Sequence, residues 1–226
     1  MSRSSAVVTG ILFLMATVAV LVATALSQPI LSDADRFTRI SASADQLTAA
    51  VLLELLAAAS SVGIAVSLYS VLQKWGPGMA LGSVVFRTIE AVMYVAGAVS
   101  LLSLVTLGQA SLRAFGDATL ATRDSAILAG VFAFSLGALL YYAIFYRSRL
   151  IPRWLSGWGI AGVILMFVAC VSALFSHRPV NTYTLLVLPI AVQEMVLAVW
   201  LIARGFSDAP ADEGARRPAL HTAAAT

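Results

Sequence analysis

An all-α, polytopic bundle of six transmembrane helices is the fold this sequence predicts, on three observations. Of 226 residues, 60% are hydrophobic and only 11% are charged, against about 25% charged in a soluble domain. Six stretches are apolar for long enough to cross a bilayer, which takes roughly 20 helical residues each. The connections between them are short and polar. The same composition excludes intrinsic disorder, a disulfide scaffold and a soluble enzyme core, because a soluble monomer could not hide so much apolar surface.

The first stretch, residues 6–27, follows Arg3 in the manner of a secretory signal. Its apolar run from Ala6 to Leu26 exceeds the roughly 7 to 15 residues of such a segment, so it reads as a retained helix. The connection from Gln28 to Gln46 carries Asp33, Asp35, Arg36, Arg39 and Asp45 and has room for a short surface helix. The second stretch, 47–72, runs into Lys74-Trp75-Gly76-Pro77-Gly78, where glycine and proline stop one helix and start the next. The third covers 79–107 and the fourth 124–146, with Arg113 and Arg123 assigned to the loop between them. A basic loop closed by Pro152 leads to the fifth stretch, 157–176, and the sixth spans 182–203. These six form one domain over 1–206, and the aperiodic segment 207–226 reads as a disordered polar tail.

Basic residues orient such a chain. One side holds Arg3, Lys74, Arg147, Arg149, Arg153, Arg204, Arg216 and Arg217, eight in all, and the other holds Arg36, Arg39, Arg113, Arg123 and Arg178, which makes five. Both termini are therefore expected in the cytoplasm, with Arg147, Arg149, Arg153 and Trp154 anchoring the membrane interface. Tyr141, Tyr142, Phe145 and Tyr146 read as an aromatic belt at the same face.

Four ionisable residues fall inside predicted spans: Glu54, Arg87, Glu90 and Glu194. Charge at membrane depth is costly unless it faces the bundle interior and finds partners. At about 1.5 Å per residue, Arg87 and Glu90 lie roughly 12 and 16 Å from the cytoplasmic side and Glu194 roughly 14 Å. Glu54 is nearer the outer face, and all four are expected in one central pocket. Ser83, Arg87, Glu90, Tyr94 and Gly97 step by four, three, four and three, which makes one helical stripe. Glu54, Ala58, Ser61 and Ala65 form a matching stripe in the second span. Pro189 leaves the Leu185 carbonyl without its usual donor, five residues before Glu194. One guanidinium against three carboxylates leaves a formal excess of two negative charges, so at least one glutamate is expected to be protonated or to hold a cation. Whether Arg87 pairs with Glu54, Glu90 or Glu194 stays open at this level.

Other chemistry is not indicated. No His or Cys pair has metal-ligand spacing, and Cys170 stands alone in an apolar run. No serine with a neighbouring His or Lys suggests a nucleophile. No catalytic residue, metal or cofactor is expected, and no dense basic stripe with exposed aromatics offers a nucleic-acid surface. The expected partners are the lipid bilayer and an unidentified small molecule or protein.

Several strings carry a family resemblance. They are Leu52-Leu53-Glu54-Leu55, Phe86-Arg87-Thr88-Ile89-Glu90-Ala91-Val92, Tyr146-Arg147-Ser148-Arg149-Leu150-Ile151-Pro152-Arg153-Trp154-Leu155-Ser156 and the run from Gln193-Glu194 to Ile202. Together, and in this order, they resemble the domain of unknown function 4386 family over about residues 6 to 206. Gln193 stands where that family often carries Asn. The resemblance implies a six-helix protein of the bacterial plasma (inner) membrane and implies no activity.

Three roles follow as expectations. The first is a small transporter-like or ligand-binding membrane protein with a proton- or cation-linked site, drawing on Glu54, Arg87, Glu90, Tyr94, Gln193 and Glu194. The second is a non-catalytic subunit, sensor or assembly partner in which the buried charges are structural. Its support is the small-residue face of Ala126, Gly130 and Gly137, which permits close helix packing. An intramembrane enzyme using Glu90 or Glu194 as a base comes third.

Overall fold

The computed structural model describes residues 3–107 and 109–207; the expected polar tail, with Arg216 and Arg217, lies outside the described residues. Seven helices follow in order: α1 (Arg3–Leu31), α2 (Arg36–Ala42), α3 (Ala44–Leu72), α4 (Pro77–Thr106), α5 (Gln109–Ser148), α6 (Arg153–Ser176) and α7 (Thr184–Ala203). A single 3₁₀ turn, Val180–Tyr183, precedes α7. Six of these are long and apolar enough to cross a membrane, and α2 is the short surface helix.

Short connections force consecutive helices to be neighbours, and the six long ones form a closed ring. Each packs on the helices before and after it in the chain, and α7 returns to pack on α1. Glycines set how tightly the ring closes. A Cβ at Gly10 of α1 would sit 2.7 Å from the backbone oxygen of Ala198 in α7, and one at Gly162 of α6 would sit 3.1 Å from the Ile190 backbone. Helix α1 is thus a full member of the ring. Outward faces remain apolar on every side, with Leu52, Val66, Val92, Leu174 and Leu185 all exposed, as a lipid-facing surface requires.

The two ends of the ring differ. The end with the α3–α4 and α5–α6 turns carries Arg3, Lys74, Arg147, Arg149, Arg153 and Arg204, and no acidic residue among those described; we call it the basic end. The other is covered by α2 and is called the capped end. At the basic end Arg149 adopts a left-handed φ of 56°, turning the chain so that Leu150 and Ile151 drop fully into the core while Arg147 and Arg153 stay outside. Arg153 lies over the exposed Tyr146 ring with its guanidinium carbon 5.4 Å from the ring centre, and Trp154 meets Trp200 edge-on at 6.4 Å.

The aromatic belt expected at this end holds only for Tyr146. Tyr141, Tyr142 and Phe145 are fully buried, because one helical face of α5 turns inward about two turns below its end. They join Phe13, Leu68, Leu72, Leu155, Leu197 and Leu201 in the larger apolar cluster. A second cluster at the capped end draws on Ala23, Ile30, Ile40, Leu47, Leu101 and Leu104. It engages mainly α1 to α4 and leaves the α5–α6–α7 side of that end without an equivalent plug.

The largest departure from the sequence reading is α5. It begins at Gln109, not near 124, so Arg113 and Arg123 are helical rather than loop residues. No proline or glycine lies between Asp117 and Ala129 to stop the helix. At about 1.5 Å per residue its 40 residues reach roughly 60 Å, twice a bilayer core, and its first turns serve as the platform for α2. The Phe37 ring covers Gly116, where a Cβ would meet it at 2.3 Å, and Arg36 pairs with Asp117 at 2.5 Å.

The entry to α2 is held by Asp33. Its carboxylate accepts the Asp35 amide at 2.9 Å and pairs with Arg39 at 2.5 Å; the amide first, then the guanidinium, hold its carboxyl below the usual carboxylate range. A depressed folded-state pKa contributes above the unfolded value of about 3.9 and is lost as pH falls through the lower folded value. Asp33→Asn should therefore reduce amide-exchange protection across α2 at neutral pH, and the gap to wild type should close from about pH 4 downward. For the ring itself, Gly10→Val should lower stability by about 1–3 kcal/mol through overpacking against the α7 backbone. Gly78→Ala, whose added carbon meets nothing within 4 Å, should leave the melting temperature unchanged or slightly higher.

Candidate functional site

Two polar layers cross the interior, and both are built on α3, α4 and α5. In α3, Glu54 and Ser61 are seven residues apart; in α4, so are Glu90 and Gly97. Seven residues are two turns on one face, roughly 10 Å along the axis. The layers are therefore stacked rather than merged.

The layer toward the capped end contains Glu54. Its carboxylate is gripped by both terminal nitrogens of Arg123: Nη1 donates to Oε2 at 2.9 Å, and Nη2 donates to Oε1. Nη1 also donates to the Gly97 carbonyl at 2.7 Å. The side chains are 5% and 16% exposed, so this is a two-pronged ion pair inside the bundle. Arg123 was not among the residues expected at depth. Counting it as a loop residue overstated the basic charge of the capped side, which falls from five residues to four. A guanidinium inside a run without proline or glycine, from Asp117 to Ala129, was a usable signal, hidden by the polar Thr119, Thr122 and Asp124 around it.

The central layer holds Arg87, Glu90 and Glu194. Arg87 Nη1 lies 3.0 Å from Glu90 Oε2, and both side chains are buried to within 4%. The pair is one turn apart on α4, and the Arg87 guanidinium also stacks 4.8 Å above the Phe134 ring centre. Its geometry does not close a hydrogen bond, and Arg87 Nε has no hydrogen-bond partner among the described residues; Ser61 of α3 interacts with the Glu90 carboxyl. Glu194 faces the same layer from α7. Among the described residues it has no ion pair, and its Oε1 accepts only a long 3.4 Å contact from the Tyr141 hydroxyl. The adjacent Gln193 is fully buried, accepting the Tyr142 hydroxyl and donating to the Leu155 carbonyl at 3.0 Å, which pins the rotation of α7 against α5 and α6.

The structure thus brings Arg87, Glu90 and Glu194 together and sends Glu54 to a different partner. The charge count changes with it. Arg87 and Arg123 face Glu54, Glu90 and Glu194, so the formal excess is one negative charge, not two. Tyr94, one turn from Glu90, bridges the layers; its ring fits against Gly130, where a Cβ would come within 2.7 Å. Gly137 likewise admits Arg87 and Phe86, with a Cβ there 3.3 Å from Arg87 Cγ. The small-residue face of α5 is consumed inside the chain.

Above the central layer lies a cavity of about 270 Å³. It is walled by apolar side chains of α1, α5, α6 and α7, with Tyr94, Glu54, Arg123 and Asp124 at its polar side and Asn181 and Thr184 toward the capped end. Neither Asp124 nor the cavity could be read from periodicity, since the void exists only between helices distant in the chain.

A closed ring of six apolar helices with charged layers sealed inside defines a polytopic integral membrane protein. The chain matches the family model described as Domain of unknown function (DUF4386) over residues 8–205 and belongs to that family. No curated protein and no solved structure matches it.

Removing one partner of a buried pair leaves an uncompensated charge and costs about 3–5 kcal/mol. Glu54→Gln and Arg123→Gln should each cause a loss of that order in thermal or denaturant unfolding, and the double variant should recover much of it. Glu54→Gln combined with Arg87→Gln should instead be additive, because the two layers do not share a partner.

Proposed function

We propose that this integral membrane protein takes up a small ligand through the cavity at its capped end and links its binding or passage to a proton or cation held by the central carboxylates. One observation carries the reading. The central Arg87–Glu90 ion pair is buried at 3.0 Å without closing a hydrogen bond, and Arg87 Nε has no hydrogen-bond partner among the described residues; Glu90 lies one helical turn from Tyr94, which lines the cavity. An unsatisfied buried polar atom costs about 1–3 kcal/mol. A polar group entering from the cavity would recover that cost. The uncompensated charge adds to this: Glu194, at the central layer, has no ion pair among the described residues.

The reading as an assembly partner draws less support, since the glycine face that favoured it is occupied by Tyr94, Phe86 and Arg87. The whole ring from α1 to α7 acts as one domain in this view. We place the basic end in the bacterial cytoplasm, with both chain ends there. Support comes from six basic and no acidic described residues at that end against four of each, Arg36, Arg39, Arg113 and Arg178 with Asp33, Asp35, Asp45 and Asp117, at the other.

The test is thermal unfolding of purified wild type and Glu194→Gln across about pH 5 to 8. The expected outcome is that glutamine is tolerated and removes a pH dependence present in wild type. A loss of several kcal/mol at every pH, as for a broken buried pair, would make Glu194 a structural counter-ion and overturn the proton-linked reading.

A further inference from the structure

We infer that the cavity selects a small organic cation, an ammonium carried on a compact apolar body. The inference rests on the reading of the cavity as a ligand site and names the class of ligand it takes. Three features of the lining point to it. First, the charges that face the cavity are Glu54, Arg123 and Asp124, a formal sum of minus one. Second, the positive member is already spent: Arg123 gives both terminal nitrogens to Glu54 and one of them also to the Gly97 carbonyl. Asp124, in contrast, has neither an ion pair nor a hydrogen bond among the described residues, and it is half-buried rather than solvated. An unpaired carboxylate at the edge of an apolar void attracts a cation more strongly than the same group in water, because the surrounding dielectric is low. Third, Tyr94 also lines the void, and an aromatic ring facing such a void attracts an alkylated ammonium group.

The rest of the lining fits the body of such a molecule. Val20, Leu21, Ile127, Val131, Met166 and Val187 supply apolar contact. A void of about 270 Å³ sits just below the usual range of about 300–1,000 Å³ for ligand pockets, which restricts the ligand to roughly one ring or a short branched chain. The way in is also defined. Helices α1 and α7 are locked together near the basic end by Gly10 against Ala198 and Ile202, whereas their opposite halves, Val20 to Gln28 and Thr184 to Val187, both line the void. The seam between them faces lipid, with Leu21 56% and Leu185 84% exposed. An amphiphilic amine partitioned at that membrane surface reaches Asp124 without crossing the bilayer.

Three probes of one shape and different charge test this on the full chain in nanodiscs: phenyltrimethylammonium, neutral N,N-dimethylaniline at about pH 8 and benzenesulfonate. Binding is read by calorimetry for wild type and for Asp124→Asn, whose folding is checked by its melting temperature. The expected result is a preference of roughly tenfold or more for phenyltrimethylammonium over both others, most of it lost in Asp124→Asn at an unchanged melting temperature. If Asp124→Asn fails to fold, Leu21→Trp, which fills the void from the lipid seam, is expected to abolish the binding instead. Equal binding of the three probes, or a preference for benzenesulfonate, would overturn cation selectivity and leave the cavity standing as a ligand site. No binding of any probe to wild type would overturn both.

Discussion

Hydrocarbon cannot solvate charge, so an ionised group inside this ring has to be neutralised by another part of the ring, by a proton or by a bound cation. That constraint organises the structure around α4. The helix brings Arg87 and Glu90 to the centre and offers the Gly97 carbonyl two turns higher to Arg123. For those contacts α5 has to approach α4 closely, and Gly130 and Gly137 are the positions where it does so, against Tyr94 and Arg87. Replacing the ion pairs by well-packed apolar groups would cost little in stability. Their retention is better understood as a device that fixes which helix faces inward and holds reactive groups at depth.

The apolar packing is divided by this polar core. Toward the basic end, aromatic and leucine side chains from five of the long helices fill the interior, and the loop residues Leu150 and Ile151 close it. Toward the capped end, filling is confined to the α1–α4 side under α2. The other side is bounded by the shortest wall, α7, whose first two turns contain Pro189 and follow a single 3₁₀ turn. A cavity there is the direct consequence of helix lengths: α3 has 29 residues and α7 has 20, so α7 cannot supply side chains to the full height of the ring. Backbone hydrogen bonding is also weakest at that place, because proline removes a donor. The void, the weakest wall and the unpaired Asp124 coincide.

Much of this was legible residue by residue. The stripe from Ser83 to Gly97 was visible as a three-and-four spacing, and it is the face of α4 that turns inward. The surface helix after α1 was visible as a charged, unbroken connection. Glycine and proline around Trp75 marked the α3–α4 turn, where Pro77 opens α4. Arg123 was missed because a polar segment before an apolar run looks like a loop when only hydropathy is weighed, although nothing in it breaks a helix. Tyr141 and Tyr142 were misplaced for the opposite reason. Position near a helix end resembles an interfacial belt, but rotation about the helix axis sends them inward to Glu194 and Gln193.

Membrane residence, the six crossings and the inward stripes follow from the sequence alone, because hydropathy and helical period are local properties that add up along the chain. Partner choice does not. Glu54 and Arg123 are 69 residues apart, and Tyr142 and Gln193 are 51 apart. Such pairs depend on how far each helix rotates and slides against its neighbours, which is set by the glycine contacts and helix lengths of the closed ring. The tertiary structure alone therefore decided that Arg87 meets Glu90, that Glu54 belongs to a second layer with Arg123, and that Asp124 lines a cavity beside them.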